Sequence, residues 1–166
     1  MGRRDLTRPF RRLLQAVWNQ LPPALHEPLI YLLAPKVTLG VCAVIVDDAG
    51  RLLLVHHTHR HRGWDFPGGL LHRHEQPALA IAREVQEELG VGTTVGSVLY
   101  IDNAVQRRHI TIFYRVWIDG PPHHDLETDA HRYVTLDELT HIKGPEAAQW
   151  IRLHVLAPLM PSPTER

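Results

Sequence analysis

The sequence predicts an α/β fold, a layered sandwich around a mixed β-sheet, with a helical extension at the N-terminus. Three observations carry this. Runs rich in β-branched or alternating apolar residues recur between residues 37 and 134. Two well-signalled helices interleave with them, one opening at Pro77 and one at Gly144-Pro145. Residues 1–36 have a different texture, arginine-rich and broken by prolines. The chain of 166 residues fits one domain with a small appendage, and the expected boundaries are 1–36 and 37–160.

In order along the chain, Phe10, Leu13, Leu14, Val17, Trp18 and Leu21 recur with helical period, and Pro22-Pro23 ends that helix. A second short apolar helix is expected near Leu25–Leu33, ended by Pro35. Arg3, Arg4, Arg8, Arg11, Arg12 and Lys36 face only Asp5 and Glu27 in this extension. Its helices are expected to pack on the domain or on a second subunit, which would make a homodimer. Peripheral membrane contact by residues 1–33 is the less favoured alternative. VTLGVCAVIV and RLLLVHH, joined by the turn Asp47-Asp48-Ala49-Gly50, read as a hairpin. TTVGSVLYI and HITIFYRVWI read as strands, the second with Ile110, Ile112, Tyr114, Val116 and Ile118 on one face. After the short strand YVT, Thr135 and Glu138 form a capping box, and EAAQWIRLHVL makes the last helix.

Composition excludes several classes. Residues are 44% hydrophobic and 22% charged, with formal net charge zero, so no global field argues for a stable nucleic-acid partner. The single cysteine, Cys42, forbids an internal disulfide and is expected to be buried and inert. No apolar run approaches the ~20 residues of a transmembrane helix. No targeting signal is complete, so a cytoplasmic location is the expectation.

The chemistry is expected in WDFPGGLLHRHEQPALAIAREVQEELGV, residues 64–91. Phe66-Pro67-Gly68-Gly69 is a tight loop whose glycines admit a ligand to the backbone. Pro77 starts a helix and Gly90 caps it. On that helix Ala78, Ala82, Val85 and Leu89 form an apolar stripe, expected to lie well away from Glu84, Glu87 and Glu88. The three glutamates occupy i, i+3 and i+4 near the helix C-terminus, where mutual repulsion and the macrodipole both disfavour them. Carboxylates gathered against such repulsion call for a cation, and an oxygen-only donor set suits a hard one such as Mg²⁺ or Mn²⁺. Beside a glycine loop, that is a phosphate-chemistry arrangement.

Residues 69–91 resemble the Nudix box, G-x5-E-x7-R-E-U-x-E-E-x-G-U, with U aliphatic. Gly69, Glu75, Arg83, Glu84, Val85, Glu87, Glu88, Gly90 and Val91 fill its defined positions. The resemblance implies a Nudix-type α/β/α sandwich and a Nudix hydrolase. Such an enzyme cleaves the diphosphate linkage of a nucleoside diphosphate joined to another moiety, with a divalent metal. It implies that Glu84, Glu87 and Glu88, with the Gly68 carbonyl, hold the metal, and that a glutamate supplies the base. It also implies that a Glu75–Arg83 ion pair fixes the loop against the helix. A base from a later loop is an alternative, and Glu127 in ETDAHRY is its candidate. His74 stands where the family often has glycine.

Gly68 and Gly69 are the expected substrate contacts of the loop. Trp64, as a stacking surface, and Arg107, as a phosphate contact, are weighed against an anchoring ring and an exposed basic turn. HHTHRH, residues 56–61, is read as a polar loop on the substrate side rather than a zinc site, because His56 and His57 alternate across a strand. Among nucleotide substrates a nucleoside triphosphate is favoured, since the core is short and lacks the extra signatures of other subclasses. A catalytically silent nucleotide-binding module is the alternative function.

Overall fold

The structure, a computed structural model, describes residues 15–16, 18–57, 63–104, 106, 108–123 and 128–157. The chain divides into two units, Met1–Lys36 and Val37–Arg166. In the first, residues 18–20 are helical and helix α1 spans Pro23–Leu33. Proline at the first position suits α1, because its missing N–H would be unpaired there anyway. The Trp18 and His26 rings stack at 4.7 Å, folding the preceding turn back along α1.

The second unit holds two sheets. Strands β1 (Thr38–Val44), β4 (Gly68–Leu70), β5 (Thr93–Ala104) and β6 (His109–Ile118) form a sheet in the order β4-β1-β6-β5. It is mixed: β1 runs parallel to β6, while β4 and β5 run antiparallel to their neighbours. Strands β2 (Leu52–His57), β3 (Trp64–Asp65) and β7 (Thr128–Val134) form an antiparallel sheet in the order β3-β2-β7. Helix α2 spans Pro77–Leu89 and α3 Leu136–Lys143. Helix α4, Pro145–Trp150, continues into a π-helical stretch, Ile151–Leu156.

The expected hairpin of β1 and β2 forms only at its closed end. Val46 bridges Leu52, and the Leu53 N–H donates to the Ile45 carbonyl at 3.0 Å. Beyond that the strands part into different sheets. Both are apolar on both faces, so each gains more as an inner strand between layers than as half of a ribbon.

Alternation along β1 and β2 then splits the core in two. Val41, Ala43, Ile45, Leu53 and Val55 pack with Ile81, Val85 and Leu89 of α2, and with Tyr114 and Val116 of β6. Val44, Leu52, Leu54, Phe66 and Phe113 pack with Leu139, Ile151 and Val155 of the C-terminal helices. Ile112 and Ile118 border the first cluster, as the alternation of β6 requires. Cys42 is half-buried beside the second. The capping box forms: Thr135 Oγ1 accepts the Glu138 N–H at 3.2 Å, and Glu138 Oε2 accepts the Thr135 N–H at 2.7 Å. Among the described residues, no helix is long and apolar enough to cross a membrane.

Candidate active site

Helix α2 starts on Pro77 and ends at Gly90, whose φ of 66° takes the left-handed cap conformation. Its buried residues are Ala80, Ile81, Glu84, Val85, Glu88 and Leu89, with Ala78 packed at the edge. At 100° per residue these cover roughly half of the helix circumference. The expected separation of stripe and carboxylates therefore fails. Ala82 is only half-buried, and Glu84 and Glu88 lie inside the buried arc at 8% and 2% exposure. Only Glu87 faces outward. The cause is the glycine loop, which closes over this side of the helix and covers both carboxylates.

In that loop the Ala43 N–H donates to the Pro67 carbonyl at 2.8 Å, and β4 then pairs with β1 through Gly68 and Gly69. A Cβ on Gly68 would strike the Val41 carbonyl and come within 2.9 Å of Cys42 Cα, and its φ of 148° already disfavours a side chain. A Cβ on Gly69 would fall within the Glu84 carboxylate. The bare Gly68 α-carbon thus lets β4 lie close against β1, and the bare Gly69 α-carbon lets the Glu84 carboxylate lie against main chain. The Gly68 N–H donates to Glu88 Oε2 at 2.9 Å.

Arg83 organises the rest. Its Nε and Nη2 donate to the two oxygens of Glu75 at 2.9 and 3.0 Å. Its Nη1 donates to Glu84 Oε1 and Glu87 Oε2, both at 2.9 Å, and Nη2 also reaches the Leu70 carbonyl at 3.2 Å. Every N–H of the guanidinium is therefore used. The hydrogen bonds from Arg83, then that from the His72 N–H, hold the Glu75 carboxyl down at about 2, while the carboxylates raise Arg83 further above its usual value.

A folded-state value below the unfolded one stabilises the fold above pH ~4.5, and that contribution is lost as pH falls toward ~2. Glu75→Gln is thus expected to be less stable than the wild type at neutral pH, and the gap should narrow on acidification. Urea unfolding of both proteins at neutral pH and near pH ~3 reads this out. A gap that does not change with pH would remove the ion pair from the account.

His57 is the residue that sequence reasoning missed. It is 7% exposed, with Nδ1 3.6 Å from Glu88 Oε1. The strand register shifts between His56 and His57, a bulge of the kind that re-aims side chains beside functional sites. The signal was present: Leu53, Val55 and His57 alternate onto the face that meets α2. His56 goes the other way and tilts against Trp64 at 5.3 Å between ring centroids. The Arg132 guanidinium covers the Trp64 ring at 4.2 Å, and Trp64 packs at the edge of the second core. Arg107, Glu127 and the remainder of the histidine run lie outside the described residues.

The family model described as NUDIX domain matches residues 36–155. The chain belongs to the Nudix family. It is 29% identical over 107 residues to a MutT-like protein of Streptomyces ambofaciens, covering 64% of this chain and 69% of that one. An 8-oxo-dGTP diphosphatase of Proteus vulgaris is 40% identical over 52 residues, 31% of this chain and 46% of that one. A CMP-5'-(N-acetyl-N-hydroxy-3-aminopropyl)phosphonate hydrolase of Streptomyces rubellomurinus is 38% identical over 55 residues, 31% and 27%. The chain thus spans less than half the length of these last two relatives. Among solved structures it resembles an ADP-ribose pyrophosphatase from Streptococcus suis, with TM-score 0.62, 24% identity, and 75% and 94% of the two chains covered. It also resembles a MutT protein from Methanosarcina mazei, with TM-score 0.61, 22% identity, and 74% and 95% covered. At these identities the structural likeness shows the fold.

In this Nudix chain the structure brings Gly68, Gly69, Glu75 and Arg83 together with all three glutamates of the acidic run. His74, in place of the family's frequent glycine, takes a left-handed φ of 62°. The loop keeps the conformation that glycine would adopt freely, and a histidine bears the strain.

Proposed function

We propose that this Nudix hydrolase cleaves the diphosphate linkage of a nucleotide, with a nucleoside triphosphate favoured over other nucleoside diphosphate derivatives, using Mg²⁺ or Mn²⁺. The observation that carries this is the bridging of Glu84 and Glu87 by one cationic nitrogen, Arg83 Nη1, beside the Gly68–Gly69 backbone. A cation already stands between two carboxylates there, and a divalent ion carries the same sign of charge into the same oxygens. As the side chains stand, no three His, Cys, Asp or Glu groups converge for a metal among the described residues. Arg83 draws Glu84 and Glu87 to itself, while Glu88 is turned to the Gly68 N–H.

Glu84, Glu87 and Glu88, with the Gly68 carbonyl, would hold the metal. When bound, it neutralises diphosphate oxygens and lowers the pKa of an attacking water. The chain's own groups then have distinct tasks. Glu88 keeps its orientation through the Gly68 N–H, and a glutamate carboxylate takes the water's proton. Glu127 is a second candidate for that base. Arg83, held by Glu75, keeps Glu84 and Glu87 at one position and is a positioning residue. Gly68 and Gly69 let the diphosphate approach main chain, and Trp64 and Arg107 are the proposed contacts beyond it. The name of one relative, a diphosphatase for 8-oxo-dGTP, favours a triphosphate.

Phosphorus NMR of a mixed pool of nucleoside triphosphates, nucleotide sugars and dinucleoside polyphosphates tests this. Cleavage with Mg²⁺ or Mn²⁺ that chelator stops is the expected result. Binding of the pool without hydrolysis of any member would make the chain a silent nucleotide-binding module.

A further inference from the structure

We propose that His57 is a positioning residue for hydrolysis: it steadies the Glu88 carboxylate from the Oε1 side while the Gly68 N–H holds Oε2. This rests on the reading of Glu88 as a metal-site carboxylate. Both side chains are buried, His57 at 8% and Glu88 at 3% exposure, and His57 Nδ1 stands 3.6 Å from Glu88 Oε1. A carboxylate taken out of water is stable only where polar groups meet its oxygens. The hydrogen bonds of Arg83 go to Glu75, Glu84, Glu87 and the Leu70 carbonyl. Glu88 takes its hold from the two sheets instead, through Gly68 of β4 at 2.9 Å and His57 of β2.

Strand β2 and its bulge deliver the ring. Leu53 and Val55 pack in the core cluster that contains α2, and His57 continues their parity. An apolar residue there would extend that core without burying a polar group, yet the chain places an imidazole. Across the sheet His56 pairs with Ala130 and His57 with Thr128, so one residue of β7 is passed over. Such a bulge raises the local twist and turns the side chain, here toward the last turns of α2, where Glu88 sits. A nucleotide arriving from solvent meets little of a ring that is 7% exposed, so His57 acts through Glu88 rather than on the substrate. With one oxygen on a main-chain donor and the other beside a ring carried by β2, rotation of the carboxylate about its last bond is limited. Glu88 is then oriented before a metal arrives, which lowers the ordering cost of binding it.

Two substitutions separate this role from that of a histidine that only fills the core. His57→Asn keeps an amide nitrogen near the Nδ1 position, whereas His57→Gln carries it out toward the Nε2 position. Three quantities are read on the full chain and both variants: turnover with Mg²⁺ on the best substrate of the NMR panel, Mn²⁺ affinity without substrate by electron paramagnetic resonance, and melting temperature. His57→Asn should stay within about threefold of the wild type in kcat and in Mn²⁺ affinity. His57→Gln should lose about 10- to 100-fold in kcat and about tenfold in Mn²⁺ affinity, with KM changed by no more than about threefold. Wild-type values in both variants overturn the proposal, and so does a loss of equal size in both, which is a packing role. A loss confined to KM overturns it too, because His57 would then meet the substrate. If His57→Gln does not accumulate in soluble form, His57→Leu, which keeps the bulk and has no donor, takes its place in the comparison. A wild-type chain that binds Mn²⁺ and hydrolyses nothing removes the hydrolase reading, and the Mn²⁺ affinities of the variants still decide the role of His57. A wild-type chain that binds no Mn²⁺ removes the metal reading and the role of His57 with it.

Discussion

Glu88→Gln is expected to lower the hydrolysis rate by at least about a hundredfold, the usual scale for losing a catalytic charge or base. The fold should survive, for two reasons. Glu88 is among the least exposed polar residues, and the Gly68 N–H donates to its Oε2 at 2.9 Å while His57 Nδ1 stands 3.6 Å from its Oε1. A glutamine amide oxygen accepts that same hydrogen bond in the same shape. Removing a buried carboxylate also removes repulsion from Glu84 one turn away, so thermal stability without metal should hold or rise slightly. The loss of rate would then belong to the charge and not to the packing. Matched circular dichroism spectra and melting temperatures, beside turnover with Mg²⁺ on the best substrate of the NMR panel, separate the two. Turnover near the wild-type rate would sink the assignment of Glu88 to the metal site.

The substitution also bears on what could be read before any coordinates. Fold class, the mixed sheet, the capping box at Thr135 and the extent of α2 were legible, because local rules set each of them. Proline at a first position, glycine in a left-handed cap and period-two alternation act over a few residues. The parting of β1 from β2 was not legible. A turn between two apolar runs says that they adjoin, and tertiary competition decides how long they stay paired. The burial of Glu84 and Glu88 was missed for a similar reason. A helical wheel sorts residues by type, and glutamates sort outward; only the glycine loop, arriving from another strand, covers them. Arg83 shows the same limit: the ion pair to Glu75 followed from the Nudix resemblance, whereas its simultaneous hold on Glu84 and Glu87 depends on side-chain geometry. His57 could have been found by continuing the parity of Leu53 and Val55 one step further.

The two loop glycines separate fold from chemistry, and their alanine variants should fail differently. Gly68→Ala puts a Cβ against the Val41 carbonyl and Cys42 Cα, at a φ of 148°. Both obstacles are main chain in an inner strand of the mixed sheet, and main chain cannot rotate aside. Either β4 leaves β1, or the loop takes a new path and the Gly68 N–H leaves Glu88. Strain of this kind costs about 2–4 kcal/mol, so the variant should melt well below the wild type or fail to accumulate in soluble form. Gly69→Ala meets something else: its Cβ falls on the end of the Glu84 side chain, which can swing away. That variant should fold with a loss of no more than about 1 kcal/mol, and still lose most of its activity, because Glu84 is driven off the position that Arg83 Nη1 holds. Urea unfolding and metal-dependent turnover, measured on both, give the contrast directly. If Gly68→Ala is as stable as the wild type, the close approach of β4 to β1 is misplaced. If Gly69→Ala keeps full turnover, Glu84 is not needed where the structure puts it.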